Sequence, residues 1–371
     1  GNVAGDGSLV LKLYYTRDSY KVTYQYTGKV PTGASELPAE TTEKYGAAVT
    51  VAADATAPGY TFSGWSREDG FTMPAENVTI TGSFTANGET PYKVEHYQQN
   101  LEDDGYTLAE TENLTGETDT TATANPKTYT GFAFDGTAEG TVASGNIAGD
   151  GSLVLKLYYT RNSYDVTYAY TGTVPTGASA LPEKATVKYG APVTVAEAAT
   201  APGYTFSGWS RNDFTMPAEN VTITGSFTAN SNTEYTVRHH FQNILDDAYD
   251  ADTAMLSETL SGTTDTLTAA AAKTVAGFTA QSFQQKNIAG DGSTVVDIYY
   301  NRNSYGVSYR YLNTPAGASA LPAGASYRFG AAVTVAEAAT APGYTFSGWS
   351  QKEDFTMPAE NVTITGSFTA R

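Results

Sequence analysis

One phrase of sixteen residues limits what this chain can fold into. Phe-Thr-Met-Pro-Ala-Glu-Asn-Val-Thr-Ile-Thr-Gly-Ser-Phe-Thr-Ala stands unchanged at 71–86, 214–229 and 355–370. Each copy begins five or six residues after the Trp of Ala-Pro-Gly-Tyr-Thr-Phe-Ser-Gly-Trp-Ser, found at 57–66, 201–210 and 341–350. Long-range repetition of this kind marks a tandem array of small units. Within the phrase Pro74 breaks the chain, and Val78, Ile80 and Phe84 then alternate with Thr79, Thr81 and Ser83. That is the period of a strand with one buried face.

The copies also reveal which face is buried. Tyr20, Val22, Tyr24 and Tyr26 return as Tyr164, Val166, Tyr168 and Tyr170, and again as Tyr305, Val307, Tyr309 and Tyr311. The residues between them drift. Lys21, Thr23 and Gln25 become Asp165, Thr167 and Ala169, then Gly306, Ser308 and Arg310. A face that accepts either charge is solvated, so the Tyr/Val face is the core side. The 27 Tyr of the chain suit pleated, half-buried surfaces. The expected core of this B-type module holds Tyr20, Val22, Tyr24, Trp65, Val78, Ile80 and Phe84. Trp209 and Trp349 are the counterparts of Trp65, read as packing residues rather than as a sugar platform. Residues 52–57 have the composition for one helical turn, which Pro58 would end.

Modules of a second type, M, lie between. Each opens on a Tyr-x-Val strand (Tyr92 and Val94; Tyr235 and Val237) and closes on a Gly-Asp-Gly turn and a Leu/Tyr-rich strand. Short helices are expected at 118–127 and 265–273, the second containing Ala269 to Ala272. The fold class read from the residues is mostly β with a short helix, α+β. Residues 1–17 repeat 145–161 with one change, Val3 to Ile147. They read as the last strand of a truncated M-type module, with Leu9, Leu11, Leu13 and Tyr15 on one face. That strand is expected to fray or to pair with a neighbouring edge. The boundaries are 1–19, 20–86, 91–163, 164–229, 234–303 and 304–371, and the chain reads as an excerpt of something longer. M-to-B joins (14–20, 158–164, 299–305) leave few residues between strands and are expected to be stiff. The longer polar B-to-M joins (85–92, 228–235) are expected to hinge.

The formal net charge is −18. Such a chain is repelled by phosphate backbones and anionic lipid, which argues against nucleic acid as a partner. By count, 91–163 carries −7 and 234–303 carries −5, while 20–86, 164–229 and 304–371 carry −3, −2 and 0. A cationic partner would therefore prefer the M-type modules. There is no Cys, so disulfides and thiol chemistry are excluded. No apolar run approaches a membrane span, so no membrane insertion is expected in this segment.

Nothing in the chain has the spacing of a catalytic constellation, and no enzyme activity and no cofactor are expected. His239 and His240 are neighbours on a strand and point to opposite faces, so they cannot share a metal from one side. His96 matches His239 and is read, like it, as an ordinary partly buried side chain. The loop with Asp246, Asp247, Asp250 and Asp252 offers oxygens of the kind Ca²⁺ takes, though not at EF-hand spacing. Asn77, Asn220 and Asn361 each open an Asn-Val-Thr sequon, read as coincidence. Lys156 faces outward and becomes Asp297 in the next copy, which argues against a Lys–Asn cross-link.

The run Gly59 to Trp65, followed by Phe71-Thr72-Met73-Pro74-Ala75 and the Val-Thr-Ile strand, resembles the internalin-type B-repeat of bacterial surface proteins. All three B-type modules share it. The M-type modules, with Tyr-x-Val, Leu-x-Gly, Gly-Phe and a closing Leu-Tyr-Tyr, are similar to mucin-binding-protein (MucBP-like) repeats. They carry extra residues around Asp103–Tyr106 and Asp246–Asp252. The resemblance implies β-grasp, ubiquitin-like modules strung into an elongated rod. Five units of roughly 30 Å would reach on the order of 150 Å. It also implies an extracellular place on a Gram-positive-type cell surface or wall, with the anchor outside this segment. The expected role is a monomeric, non-catalytic stalk or spacer in adhesion. The alternative is that the M-type modules bind host mucin glycans or a surface protein themselves.

Overall fold

The computed structural model describes residues 1–249 and 256–371. The chain forms two compact units. The first is Gly1–Val166 with Ala185–Thr194 and Asp213–Val221; the second is Thr167–Lys184, Val195–Asn212 and Thr222–Arg371. Every regular element among the described residues is a β-strand.

In the first unit, the alternating run Ser19–Thr27 lies parallel to Val78–Ala86, with Val22 opposite Val78 and Tyr24 opposite Ile80. Thr41–Lys44 joins antiparallel on one side and Tyr60–Phe62 on the other, giving the order 41–44, 19–27, 78–86, 60–62. A parallel central pair needs a long crossover, and residues 28–77 supply it. A short ribbon, Ala48–Val49 against Phe71–Thr72, lies within that crossover. Val22, Val49, Met73, Val78 and Ile80 are buried, with Tyr20, Tyr24 and Trp65 packed partly buried against them. Phe84 is half-buried among the rings of Tyr26, Tyr60 and Phe62. Lys21 and Gln25, on the drifting face, are exposed.

The first M-type module repeats this plan. Val154–Arg161 runs parallel to Thr90–Gln99, flanked by Phe132–Phe134 and Tyr106–Gly116. Leu155, Leu157 and Tyr159 are each 0% exposed, and they pack with Val94, Ala122, Ala124 and Ile147. The share of the second B-type module in this unit pairs residues 163–166 with Ala185–Lys188, and Pro192–Val193 with Phe214–Thr215.

The second unit holds the rest of that module, where Tyr204–Phe206 pairs with Phe227–Ala229. It also holds the second M-type sheet, in the order 256–262, 233–241, 295–302, 278–280, and the third B-type sheet, in the order 325–328, 304–311, 362–370, 344–349. Both have the parallel central pair. Trp349 is 6% exposed, while Trp65 and Trp209 are half-buried.

The expected α+β character does not hold, because no helix forms among the described residues. Residues 118–127 start in a turn and continue as the strand Thr121–Thr123, paired with Ser144–Asn146. The reason lies in where the backbone donors go. The Lys127 N–H donates to the Tyr159 hydroxyl (2.9 Å), and that of Ala124 to the Ala143 carbonyl (2.8 Å). In 265–273, Ala269, Ala270 and Lys273 donate to the Tyr235 hydroxyl, Gln285 Oε1 and the Tyr300 hydroxyl. The alanines are good helix formers, but an intrahelical ladder would strip these buried polar groups of partners. The helical turn expected at 52–57 does not form either: Ala52 N–H donates to the Tyr24 hydroxyl (2.9 Å), and Trp65 Nε1–H to the Ala53 carbonyl (3.1 Å).

Residues 1–18 form no strand. Leu11, Leu13 and Tyr15 are 73, 77 and 87% exposed. Their counterparts Leu155, Leu157 and Tyr159 sit at the centre of a sheet.

Candidate functional site

The chemistry-bearing side chains gather in three places. The first is the core edge of each M-type sheet. His96 is fully buried rather than partly so. Its Nδ1 lies 2.9 Å from the Tyr159 hydroxyl and its Nε2 2.7 Å from Glu112 Oε1. The Glu112 carboxylate can only accept, so in the neutral imidazole the N–H lies at Nε2 and Nδ1 takes the proton of the Tyr159 hydroxyl, which itself accepts the Lys127 N–H. Lys127 Nζ stands 3.1 Å from Glu112 and 2.6 Å from Glu110. Hydrogen bonding from His96, then from Lys127, holds the Glu112 carboxyl below its usual range. The second M-type module repeats the set: His239 with the Tyr300 hydroxyl (2.8 Å) and Glu258 (3.0 Å), and Lys273 with Glu258 (2.8 Å). Here Lys273 is the chief cause of the lowered Glu258 carboxyl. A Glu–His–Tyr line resembles a proton relay, but His96, His239, Tyr159 and Tyr300 are all 0% exposed. It pins the crossover segment, whose Lys127 and Lys273 N–H groups donate to the same tyrosine hydroxyls. His240 is turned elsewhere, stacked on Tyr299 with Nε2 2.8 Å from Asp297.

The second place is the acidic loop. Asp246 accepts from Asn243 Nδ2 (2.9 Å) and Ala248 N–H (2.8 Å). Asp247 accepts from Gln242 Nε2 and from the Arg328 guanidinium. Arg328 also donates to the Asp246 carbonyl. The two carboxylates thus spend oxygens on protein donors, one of them reached from the next module. Asp250 and Asp252, the other members of the calcium candidate, lie outside the described residues. Among the described residues no group of three metal-ligating side chains forms.

The third place is the module joints. At each M-to-B step one arginine ties two modules. Arg161 donates from Nε and Nη2 to the Gln99 carbonyl and from Nη1 to the Tyr189 carbonyl (2.9 Å), and lies 4.7 Å over the Phe132 ring. Arg302 donates from Nε to the Gln242 carbonyl and from Nη1 to the Phe329 carbonyl (2.9 Å each), and lies over Phe278. Gly131 and Gly277 sit so close to the rings of Tyr189 and Phe329 that a Cβ would collide with them. The B-to-M step, expected to hinge, is bonded as tightly. Gly59 abuts Gly149 and Gly203 abuts Gly290, backbone on backbone, with no room for a Cβ. Thr118 Oγ1 donates to the Gly59 carbonyl (2.9 Å), and Thr264 Oγ1 to that of Gly203 (2.8 Å). Next to each threonine stands an aspartate in the left-handed region, Asp119 and Asp265, both at φ 62°. Among the described residues no other non-glycine residue has a positive φ. Each accepts a tyrosine hydroxyl at 2.5 Å, from Tyr60 and Tyr204. Asp119 also takes Lys29 Nζ at 2.6 Å; that ion pair, then Tyr60, lowers its carboxyl. Strain of this kind persists only where surrounding contacts over-determine it.

Reading the sequence did not find these joint residues. The available signal was Thr-Asp-Thr at 118–120 and 264–266, retained in M-type modules whose neighbouring residues differ. The sequon asparagines also have a structural use. Asn77, Asn220 and Asn361 accept the backbone N–H of Lys21, Asp165 and Gly306 at 2.8–2.9 Å, tying the last strand of each B-type module to its first.

No helix among the described residues is long and apolar enough to cross a membrane. No curated protein matches the chain. Among solved structures, domains 3–4 of the Streptococcal High Identity Repeats in Tandem (SHIRT) of a cell surface protein are similar at 17% identity. The match covers 37% of this chain and 96% of that one, with a TM-score of 0.17, too low to bear on the fold. The sequence model of the divergent InlB B-repeat domain matches residues 20–88, 166–231 and 311–371, more than half of the chain. Those spans fall on the B-type modules and leave the intervening M-type modules outside them. The chain therefore belongs to the divergent InlB B-repeat family.

Proposed function

We propose that this is a non-catalytic repeat region of a bacterial cell-surface protein, acting as a rod-like spacer in adhesion. On this reading the B- and M-type modules hold another part of the protein away from the wall. The observation that carries the reading is the joints. Both kinds are bridged by the same residues in successive copies, and a spacer needs resistance to bending at every step. The M-type modules are read as MucBP-like and residues 1–19 as the closing strand of a further one. A β-grasp ancestry is supported by the parallel first and last strands with antiparallel flanks, the crossover running extended where a helix would lie.

The chain has no cysteine, so paired spin labels can be placed at will. With Thr79→Cys and Thr111→Cys across the first B-to-M joint, the spacer reading expects a narrow distance distribution. A distribution as broad as that of a flexible linker would overturn it. A glycan array probed with the whole chain is expected to stay silent; selective binding would move the function to the M-type modules.

A further inference from the structure

The two B-to-M joints share one frame and differ at one contact. Tyr60 and Tyr204 each donate a hydroxyl to an aspartate in the left-handed region, Asp119 and Asp265. At the first joint that aspartate also holds an ammonium. Lys29 Nζ stands 2.6 Å from Asp119 Oδ2, the same oxygen that accepts the Tyr60 hydroxyl. The second copy reads Thr171-Gly-Thr-Val-Pro-Thr-Gly177 where the first reads Thr27-Gly-Lys-Val-Pro-Thr-Gly33, so Thr173 takes the place of Lys29. Thr173 is exposed, and a threonine has no ammonium to give. Among the described residues no Lys, Arg or His pairs with Asp265, whose carboxylate accepts the Tyr204 hydroxyl. Beside it opens a cleft of about 320 Å³, lined by Gly177, Pro202, Tyr204, Asp265, Gly290 and Asp291.

We propose that this cleft is a docking site for a lysine side chain of a partner protein, its ammonium sitting on Asp265 as that of Lys29 sits on Asp119. The first joint shows the same aspartate and tyrosine gripping this group. The Asp265 carboxylate is set in advance by its backbone and by Tyr204, so little ordering opposes binding. Pro202 and the Tyr204 ring offer apolar surface for the methylene stem, and Asp291 adds a second negative charge to the lining. A divalent cation fits less well. Hard cations gather six or more oxygens, and among the described residues no group of three metal-ligating side chains forms. The net charge of −18 draws basic partners toward the chain. One exposed ion pair is weak by itself, so a single lysine should bind in the millimolar range. The proposal does not rest on the spacer reading.

The test titrates Nα-acetyl-lysine methylamide into the full chain and follows the backbone amide resonances of Thr264 and Asp265 beside those of Thr118 and Asp119. The expected result is a saturating shift at 264–265 and none at 118–119, where Lys29 already fills the site. The norleucine analogue, which lacks the amine, should shift neither pair. Thr173→Lys should supply the ammonium from within and weaken the response by about fivefold or more, because a tethered group competes at high effective concentration. Lys29→Thr should create a response at 118–119. Both substitutions fall at exposed positions. Equal shifts at the two joints of the unsubstituted chain, an unchanged response in Thr173→Lys, or the same shifts with the norleucine analogue would overturn the proposal. So would calcium chloride moving 264–265 at lower concentration than the lysine probe, which would assign the cleft to a metal ion.

Discussion

Gly82, Gly225 and Gly366 sit in the repeated phrase at an inward position of its strand. A Cβ there would run into the Phe62, Phe206 or Phe346 ring and crowd the indole of Trp65, Trp209 or Trp349. The phrase keeps glycine as a seat for two rings. Gly366→Ala is expected to destabilise the third B-type module by about 1–3 kcal/mol through overpacking, read from Trp349 fluorescence in urea. An unchanged midpoint would count against that packing. The tyrosine hydroxyls make a second residue-scale case. Tyr300→Phe removes the acceptor of Lys273 N–H and the donor to His239 Nδ1. Leaving such buried groups unpaired costs roughly 1–3 kcal/mol, so denaturant melts of Tyr300→Phe should shift by that amount, while Tyr299→Phe should change little. The alternation of Tyr and Val was legible because a strand's period is local. What each hydroxyl holds was not, because Lys273 lies 27 positions away from Tyr300.

At the scale of elements, the same words take different structures. Leu-Val-Leu-Lys-Leu-Tyr-Tyr-Thr-Arg is a buried central strand at 153–161 and an unpaired exposed run at 9–17. Each large side chain left in water forgoes about 1.5–3 kcal/mol of burial. Propensity favoured helices at 118–127 and 265–273, but none forms because groups distant in sequence take the backbone donors. Joint stiffness also belongs to this scale. Arg161→Ala removes bonds to Gln99 and Tyr189 carbonyls and the cation over Phe132. Spin-label distances across the 158–164 M-to-B joint should broaden markedly. Asp119→Ala should do the same across the first B-to-M joint, since it loses Tyr60 and Lys29 and leaves a Cβ residue at φ 62°, a strain of about 1–3 kcal/mol. Asp119→Gly would lose the bonds without the strain, so Asp119→Gly should melt at a higher temperature than Asp119→Ala.

At the scale of the molecule, stability should fall at both ends of the pH range. Asp119, Glu112 and Glu258 have carboxyls lowered by their partners. A lowered carboxyl contributes stability above its unfolded value, and that contribution is lost as pH falls through the folded one. Melting temperature should therefore drop below about pH 4. Tyr60, Tyr106, Tyr159 and Tyr204 are pushed up, and Tyr97 rises to about 12 through its bond to Glu95. A raised phenol contributes below its unfolded value near 10 and loses that contribution as pH climbs toward the folded one. Tyrosinate absorbance should then appear together with unfolding between about pH 10 and 12; ionisation without unfolding would contradict these assignments. By itself the sequence determined the repeating modules, the strand period and the buried face, since these follow from residues two positions apart and from copies read against each other. Only the tertiary structure decided that no helix forms in the crossovers and that both joints are bonded. Those outcomes depend on which backbone donors and apolar faces find partners, and the partners lie tens of residues away.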